Sequence, residues 1–221
     1  MVRWKIAVTT APRHPNFLDQ TLVSLHAAGW DYENITVYAE PGSTPSVLPV
    51  TESLNVTKVG PYLNWRQALW RLSESNCEYV AIVQDDLAFR PGLRAYLDDT
   101  MRDTAVFSPY LSRKDGHALA PVKEDWHLCN SGWNYCGACF FAMPRSLAVT
   151  LHKGLPERVP ENKHIDAVVA HFLKTHELLL YVHSPSLVQH LADAHSTMGY
   201  GANPFCRTAH RYTEEPLEPS E

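Results

Sequence analysis

The chain has 221 residues, 45% of them hydrophobic and 19% charged, with a formal net charge of -5. That length builds one sizeable core or at most two small ones. The mild negative charge excludes a whole-molecule attraction to nucleic acid or anionic membrane and leaves only a local basic patch open. No apolar run approaches the roughly 20 residues that span a bilayer. Five cysteines, Cys77, Cys129, Cys136, Cys139 and Cys206, form an odd set without framework spacing, which predicts reduced thiols in a cytoplasmic protein. Cys136-Gly137-Ala138-Cys139 has redox or zinc spacing but no second pair to complete a site. Met1-Val2-Arg3-Trp4-Lys5 runs at once into a strand-like segment and leaves no room for a signal peptide.

Ile6 to Thr10 reads as a first strand, ending in two hydroxyls and then Ala11-Pro12-Arg13. Asn16 to Ala28 reads as a helix with Leu18, Leu22 and Leu25 on one face and Gly29 as its stop. Ile35 to Ala39 is a second strand, closed by the turn Glu40-Pro41-Gly42-Ser43, and Leu54 to Lys58 suits a third. Asn64 to Leu72 carries Trp65, Leu69 and Leu72 at helical spacing, with Arg66 near its start. Tyr79 to Gln84 is a strand buried on both faces, Pro91 opens a helix through Leu97, and Ala105 to Ser108 is a further strand. This alternation predicts βαβ units, an α/β fold and a mostly parallel sheet flanked by helices.

The second half changes character. Residues 109–137 are irregular and hold Trp126, His127, Trp133, Asn134 and Tyr135. Cys139 to Ala142 is a short strand, with a helix from near Pro144. Ile165 to Leu173 is a helix with Asp166 in its first turn. Leu178 to Val182 is a strand, followed by Pro185 to His190. Residues 213–221 read as a disordered acidic tail. No repeat and no composition break divides the chain.

The apolar strand from Tyr79 ends in Gln84-Asp85-Asp86, where open α/β sheets bind ligands. Adjacent carboxylates repel unless a cation or strong donor compensates them. Oxygen ligands of this kind suit Mg²⁺ or Mn²⁺ completed by a substrate diphosphate, and they equally suit a loop start or helix cap.

The order of these features resembles a GT-A glycosyltransferase over nearly the whole ordered chain. The resemblance implies one GT-A-like domain, with a nucleotide-sugar-binding half at 1–108 and an acceptor-binding, catalytic half at 109–212. Gln84-Asp85-Asp86 is similar to the family's Asp-x-Asp motif, with Gln84 in the first acid's place. It implies Asp86 as metal ligand and Asp85 nearer the donor ribose or sugar. Ser131 to Ala138 occupies the place of the glycine-bearing loop that closes on the donor, with Gly137 a donor contact. His164-Ile165-Asp166 sits where the family has an acid pair opening the acceptor helix. Pro185 to His190, followed by His195-Ser196-Thr197, is similar to the end of the N-acetylglucosaminyltransferase IV group, which implies His190 as the second metal ligand.

The chemistry expected is metal-dependent transfer of a sugar from a nucleoside diphosphate sugar, UDP favoured, to a hydroxyl acceptor. Neutralising the leaving diphosphate falls to a divalent cation, Mn²⁺ or Mg²⁺, on Asp86 and His190. Inversion needs a carboxylate to take the acceptor's proton, for which Asp166 is the candidate, with Glu161 and Asp125 in reserve. Asp166 equally suits a helix-dipole partner. Thr9, Thr10 and Arg13 end the first strand where a base would lie, and Glu40 ends the second. Arg66 and His195 are candidates for the diphosphate, and Trp126, Trp133 and Tyr135 for stacking on the acceptor. His171 and His183 read as structural.

Rival functions are a nucleotidyltransferase or other metal-dependent phosphoryl enzyme, and a non-catalytic sugar-binding module. Thr10-Ala11-Pro12-Arg13 lacks the Gly and Lys of a phosphate loop. A binding module needs no combination of Asp85, Asp86, Asp166 and His190. Arg207, His210 and Arg211, with Arg13, form a modest basic patch that would admit an acidic acceptor, including a modified base in DNA. A saccharide, a lipid-linked sugar or a protein fits equally well.

Overall fold

The computed structural model describes residues 2–113, 124–129, 137–159, 164–191 and 207–217. The first half runs β1 (Trp4–Thr10), α1 (Leu18–Ala27), β2 (Ile35–Ala39), β3 (Thr51–Leu54), α2 (Pro61–Glu74), β4 (Tyr79–Gln84), β5 (Leu87–Phe89), α3 (Leu93–Thr100) and β6 (Ala105–Ser108). The second runs β7 (Asp125–Leu128), β8 (Phe140–Pro144), α4 (Arg145–Gly154), α5 (Ile165–Thr175), β9 (Leu179–Ser184) and β10 (Val188–His190). Eight strands form one sheet in the order β3-β2-β1-β4-β8-β6-β9-β7. β3, β2, β1, β4, β6 and β9 run one way, and β8 and β7 the other. The mostly parallel α/β sheet expected from the alternation is present. β10 and β5 pair antiparallel as a separate ribbon.

Side-chain alternation sorts the central strands onto two cores. Ile6 and Val8 of β1 with Ala81 and Val83 of β4 face α1 and α3, where they meet Leu18, Leu22, Leu25, Leu93 and Leu97. Ala7, Val80 and Ile82 face α2, α4 and α5, against Trp65, Leu69, Leu151 and Val169. Burial on both faces is why these strands read as unbroken apolar runs. Among the described residues, no helix is long and apolar enough to cross a membrane.

The departures from expectation lie at edges and turns. The third strand is Thr51–Leu54 rather than 54–58; its four residues are all exposed at the sheet edge, so no apolar pattern marks it. α3 starts at Leu93, because Gly92 at φ +82° makes the turn that Pro91 only introduces. Within the stretch expected to be irregular, Asp125 to Leu128 pair with β9 as the opposite edge strand. The segment expected to be a disordered tail from 213 is described to Leu217. There the Leu217 amide donates to Pro91 O at 3.0 Å and Arg90 Nε to Glu215 O at 2.8 Å.

His183 of β9 is buried in this frame, as a structural residue. Its Nδ1 lies 2.6 Å from Pro185 O, so that nitrogen carries the proton, and its Nε2 accepts from Tyr96 Oη at 2.8 Å. Burial pushes its pKa down to about 4. The folded protein therefore binds this proton less readily than the unfolded chain, where histidine titrates near about 6.5. Stability from neutral His183 is complete above that value and drains as pH falls toward 4. Between pH 7 and 5 the expected loss is about 2 kcal/mol. Urea denaturation of wild type and His183→Asn at the two pH values checks this: equal pH dependence in both proteins would refute it.

Candidate active site

The site grows from the carboxyl end of β4. β4 lies between β1 and β8, and the register Thr9↔Gln84 sets the end of β1 beside the acids that follow β4. Thr10 Oγ1 donates to Asp85 Oδ2. Arg13, just past β1, spans both acids: Nη2 is 2.8 Å from Asp85 Oδ1 and Nη1 is 2.9 Å from Asp86 Oδ2. The chain turns through Asp85 and Asp86 into β5, whose partner β10 brings His190 opposite Leu87. The Leu191 amide then donates to Asp86 O at 2.9 Å, fixing His190 beside the acid. Arg207 closes the ring, with Nη2 at 2.7 Å from Asp86 Oδ2 and 3.4 Å from His190 Nδ1. Tyr110 meets the His190 ring edge to face.

Both acids are 1% exposed, so their charges are carried by these partners rather than by water. The two titrate apart. Burial pushes Asp85 up to about 6, against the pull of Arg13 and with a further push from Asp86. Burial would also raise Asp86, but His190, Arg13 and Arg207 outweigh it and hold that carboxyl well below the usual range. One acceptor in the cluster is left over. Asp86 Oδ1 is buried without a hydrogen-bond partner of good geometry and stands 3.3 Å from His190 Nδ1. Neighbouring ligands of an octahedral ion with bonds of about 2.0–2.1 Å stand about 3 Å apart, so the orphaned oxygen with His190 Nδ1 beside it fits a hard divalent cation. Among the described residues no group of three His, Cys, Asp or Glu forms, so water and substrate would complete such a shell.

Asp166 opens α5 across from this cluster. Its carboxylate accepts from the amides of Ala167 and Gly137, yet burial outweighs them and raises its pKa. Burial, and after it the charges of Asp86 and Asp166, push up the thiol of Cys139, whose carbonyl accepts the Gln84 amide at 2.9 Å. The residue 137–139 turn thus connects the acid pair to the candidate base.

The other expected residues are placed differently. Thr9 Oγ1 donates to Val83 O at 3.3 Å, within the sheet. Glu40 is buried and accepts from the amides of Val59 and Gly60, at 3.0 and 2.7 Å, so it serves the start of α2. Arg66 lies on α2 beside Tyr62 and His152, with its Nε buried and unpartnered. Asp125 lies on β7, four strand positions from β4 and so about 19 Å across the sheet. Trp126 packs on Phe107, Tyr96 and His183 at the margin of the main core. The basic patch divides: Arg13 and Arg207 face Asp86, and Arg211 pairs with Glu124 at 3.4 Å. His195, Glu161, Trp133, Tyr135 and residues 131–136 of the expected closing loop lie outside the described residues.

Two residues near the site, Gln189 and Asn64, carry no sequence signal for it, and Arg207 is expected only in a basic patch for the acceptor, not as a partner of Asp86. Arg207 stands in an aperiodic stretch. Gln189 binds the C-terminal segment. Asn64 is buried and donates to Tyr38 O at 3.0 Å and Thr10 O at 3.4 Å while accepting from Asn55, so it joins the ends of β1 and β2.

No family model matches the chain, and no curated protein matches it in sequence. Solved structures do. The mannosyltransferase PcManGT from Pyrobaculum calidifontis, in complex with GDP-Man and Mn²⁺, superposes at a TM-score of 0.55 with 15% identity, covering 83% of this chain and 57% of that one. S. aureus TarS 1-349, in complex with UDP-GlcNAc, superposes at 0.60 with 14% identity, covering 90% of this chain and 61% of that one. The chain spans less than two thirds of either neighbour. At these identities the likeness concerns architecture alone: this chain shares the α/β fold of these two proteins.

Proposed function

We propose that this protein is a glycosyltransferase of GT-A type that moves a sugar from a nucleoside diphosphate sugar to a hydroxyl acceptor, with inversion. The observation that carries the proposal is the buried, cation-ringed Asp86 at the carboxyl end of β4, in a fold whose solved neighbours hold GDP-Man and UDP-GlcNAc. Asp86 and His190 would hold Mn²⁺ or Mg²⁺, His190 in the place that the N-acetylglucosaminyltransferase IV resemblance implies. When bound, the ion supplies Lewis-acid neutralisation of the leaving diphosphate. Arg13 and Arg207 add two fixed positive charges beside it, which attract the diphosphate and orient it. Thr10 and Arg13 hold Asp85 in place at the donor side. Asp166 takes the acceptor proton, and its raised pKa makes it a stronger base than an exposed aspartate. UDP is the favoured nucleotide, and a saccharide, lipid-linked sugar, protein or modified nucleobase is the acceptor.

Thermal shift with UDP, GDP, CDP and TDP, each with and without Mn²⁺, tests the donor half. The expected result is a metal-dependent stabilisation by one nucleotide; at 100-fold excess over Kd it amounts to about 2.7 kcal/mol. No shift with any nucleotide would sink the proposal.

A further inference from the structure

Arg207 reaches Asp86 from 121 residues along the chain, and what holds it there is almost entirely main chain. Arg113 N donates to Thr208 O at 2.6 Å, His210 N to Leu111 O at 2.8 Å, and Ser186 N to His210 O at 2.8 Å. Among the described residues, the Gln189 side chain adds to these. Gln189, half-buried on β10 next to His190, accepts the Ala209 amide at Oε1, 2.8 Å away. Its Nε2 donates to His190 O at 2.6 Å and to Arg207 O at 3.4 Å. An amide alone among side chains offers an acceptor to one side and two donors to the other, and here all of them are in use.

We propose that Gln189 is the positioning residue that clamps segment 207–209 onto β10 and so holds the Arg207 guanidinium at Asp86, ready for the donor diphosphate. This inference rests on the transferase function proposed above. Residues 189 and 190 divide the work: His190 faces Asp86, and Gln189 sets the register of the strand of chain that delivers the second cation. Ala209 and Arg207 are gripped two residues apart, which fixes both the position and the direction of the segment between them. Glutamate at 189 keeps the shape and the acceptor for Ala209 but has no proton for the carbonyls of His190 and Arg207. It sets charge against oxygen where the amide donated.

Wild type, Gln189→Ala, Gln189→Glu, Arg207→Ala and the double variant Gln189→Ala/Arg207→Ala are compared in three measurements. These are amide hydrogen exchange at Ala209, affinity for UDP and for inorganic pyrophosphate, and donor KM and kcat. The expected result is faster Ala209 exchange in Gln189→Ala, and about tenfold weaker UDP and pyrophosphate binding in each single variant. The double variant should lose no more than Arg207→Ala alone, and donor KM should rise more than kcat falls. Gln189→Glu should follow Gln189→Ala in affinity although it is isosteric. Unchanged Ala209 exchange overturns the clamp. Full additivity in the double variant, or normal UDP affinity in Gln189→Ala while wild type binds UDP, overturns the positioning of Arg207. Failure of wild type to bind any nucleoside diphosphate sinks the transferase proposal and this inference with it, and the exchange data tell that outcome from failure of the clamp.

Discussion

Asp86→Asn is expected to lower kcat/KM for sugar transfer about a thousandfold, equivalent to about 4 kcal/mol of transition-state stabilisation. The substitution keeps the shape of the side chain and removes its charge. Three effects then coincide. The orphaned Oδ1 beside His190 loses most of its affinity for a divalent cation. Arg13 and Arg207 lose the negative charge on which both converge, at 2.9 and 2.7 Å, and with it much of the pull that keeps them where a diphosphate would find them. Asp85 loses the neighbouring charge that contributes to its raised pKa. Folding should survive, because Arg13 keeps Asp85 as a partner and Arg207 is partly open to water. The check is steady-state kinetics with the donor identified by thermal shift, alongside a melting curve. Activity within tenfold of wild type in a folded variant would remove Asp86 from the chemistry.

The second large effect belongs to Asp166→Asn, which should cut kcat between about 10² and 10⁴-fold and leave donor KM nearly unchanged, the mark of a lost general base. Asparagine still accepts from the Ala167 amide, so the start of α5 stays in place. The sign of the pH dependence follows from the raised pKa. The base works when ionised, so wild-type kcat should fall on the acid side, around a value above that of an ordinary aspartate, and be flat above it. The variant should lack that limb. A kcat within threefold of wild type, or an unchanged acid limb, would leave Asp166 as a helix-capping charge and no more.

What the sequence reveals of this molecule follows from where burial imposes pattern. β1, β2, β4 and β6 are covered on both sides, so Ile6 to Thr10, Ile35 to Ala39, Tyr79 to Gln84 and Ala105 to Ser108 are unbroken runs that expose their boundaries. Asp85 and Asp86 are visible because charge following such a run is unusual. His190 is visible only through its place after the last strand. β3 and β7 are hidden because edge strands face water and carry Thr, Glu, Ser, Asp and His like any loop. Glu40 looked like a ligand for a nucleoside because it ends a strand; its carboxylate is taken by two amides about 20 residues further on, a contact that no local pattern encodes. Arg207 is one arginine in an aperiodic stretch, and its meaning exists only once main-chain bonds to residues 111, 113 and 186 have set its place.

The ring around Asp86 also has a history within each molecule. Its members come from residues 13, 85, 86, 190 and 207, and the separations of 73 and 121 residues between Asp86 and its two arginines span most of the chain. A growing polypeptide carries Arg13 and both acids within its first 86 residues, well before the rest emerges. The second cation arrives only when residue 207 has left the ribosome and docked against residues that preceded it by nearly a hundred positions. A chain cut short before that point keeps its acid pair and its first arginine but not the completed ring. The ring around Asp86 is thus a property of the folded whole, and neither half of the sequence carries it alone.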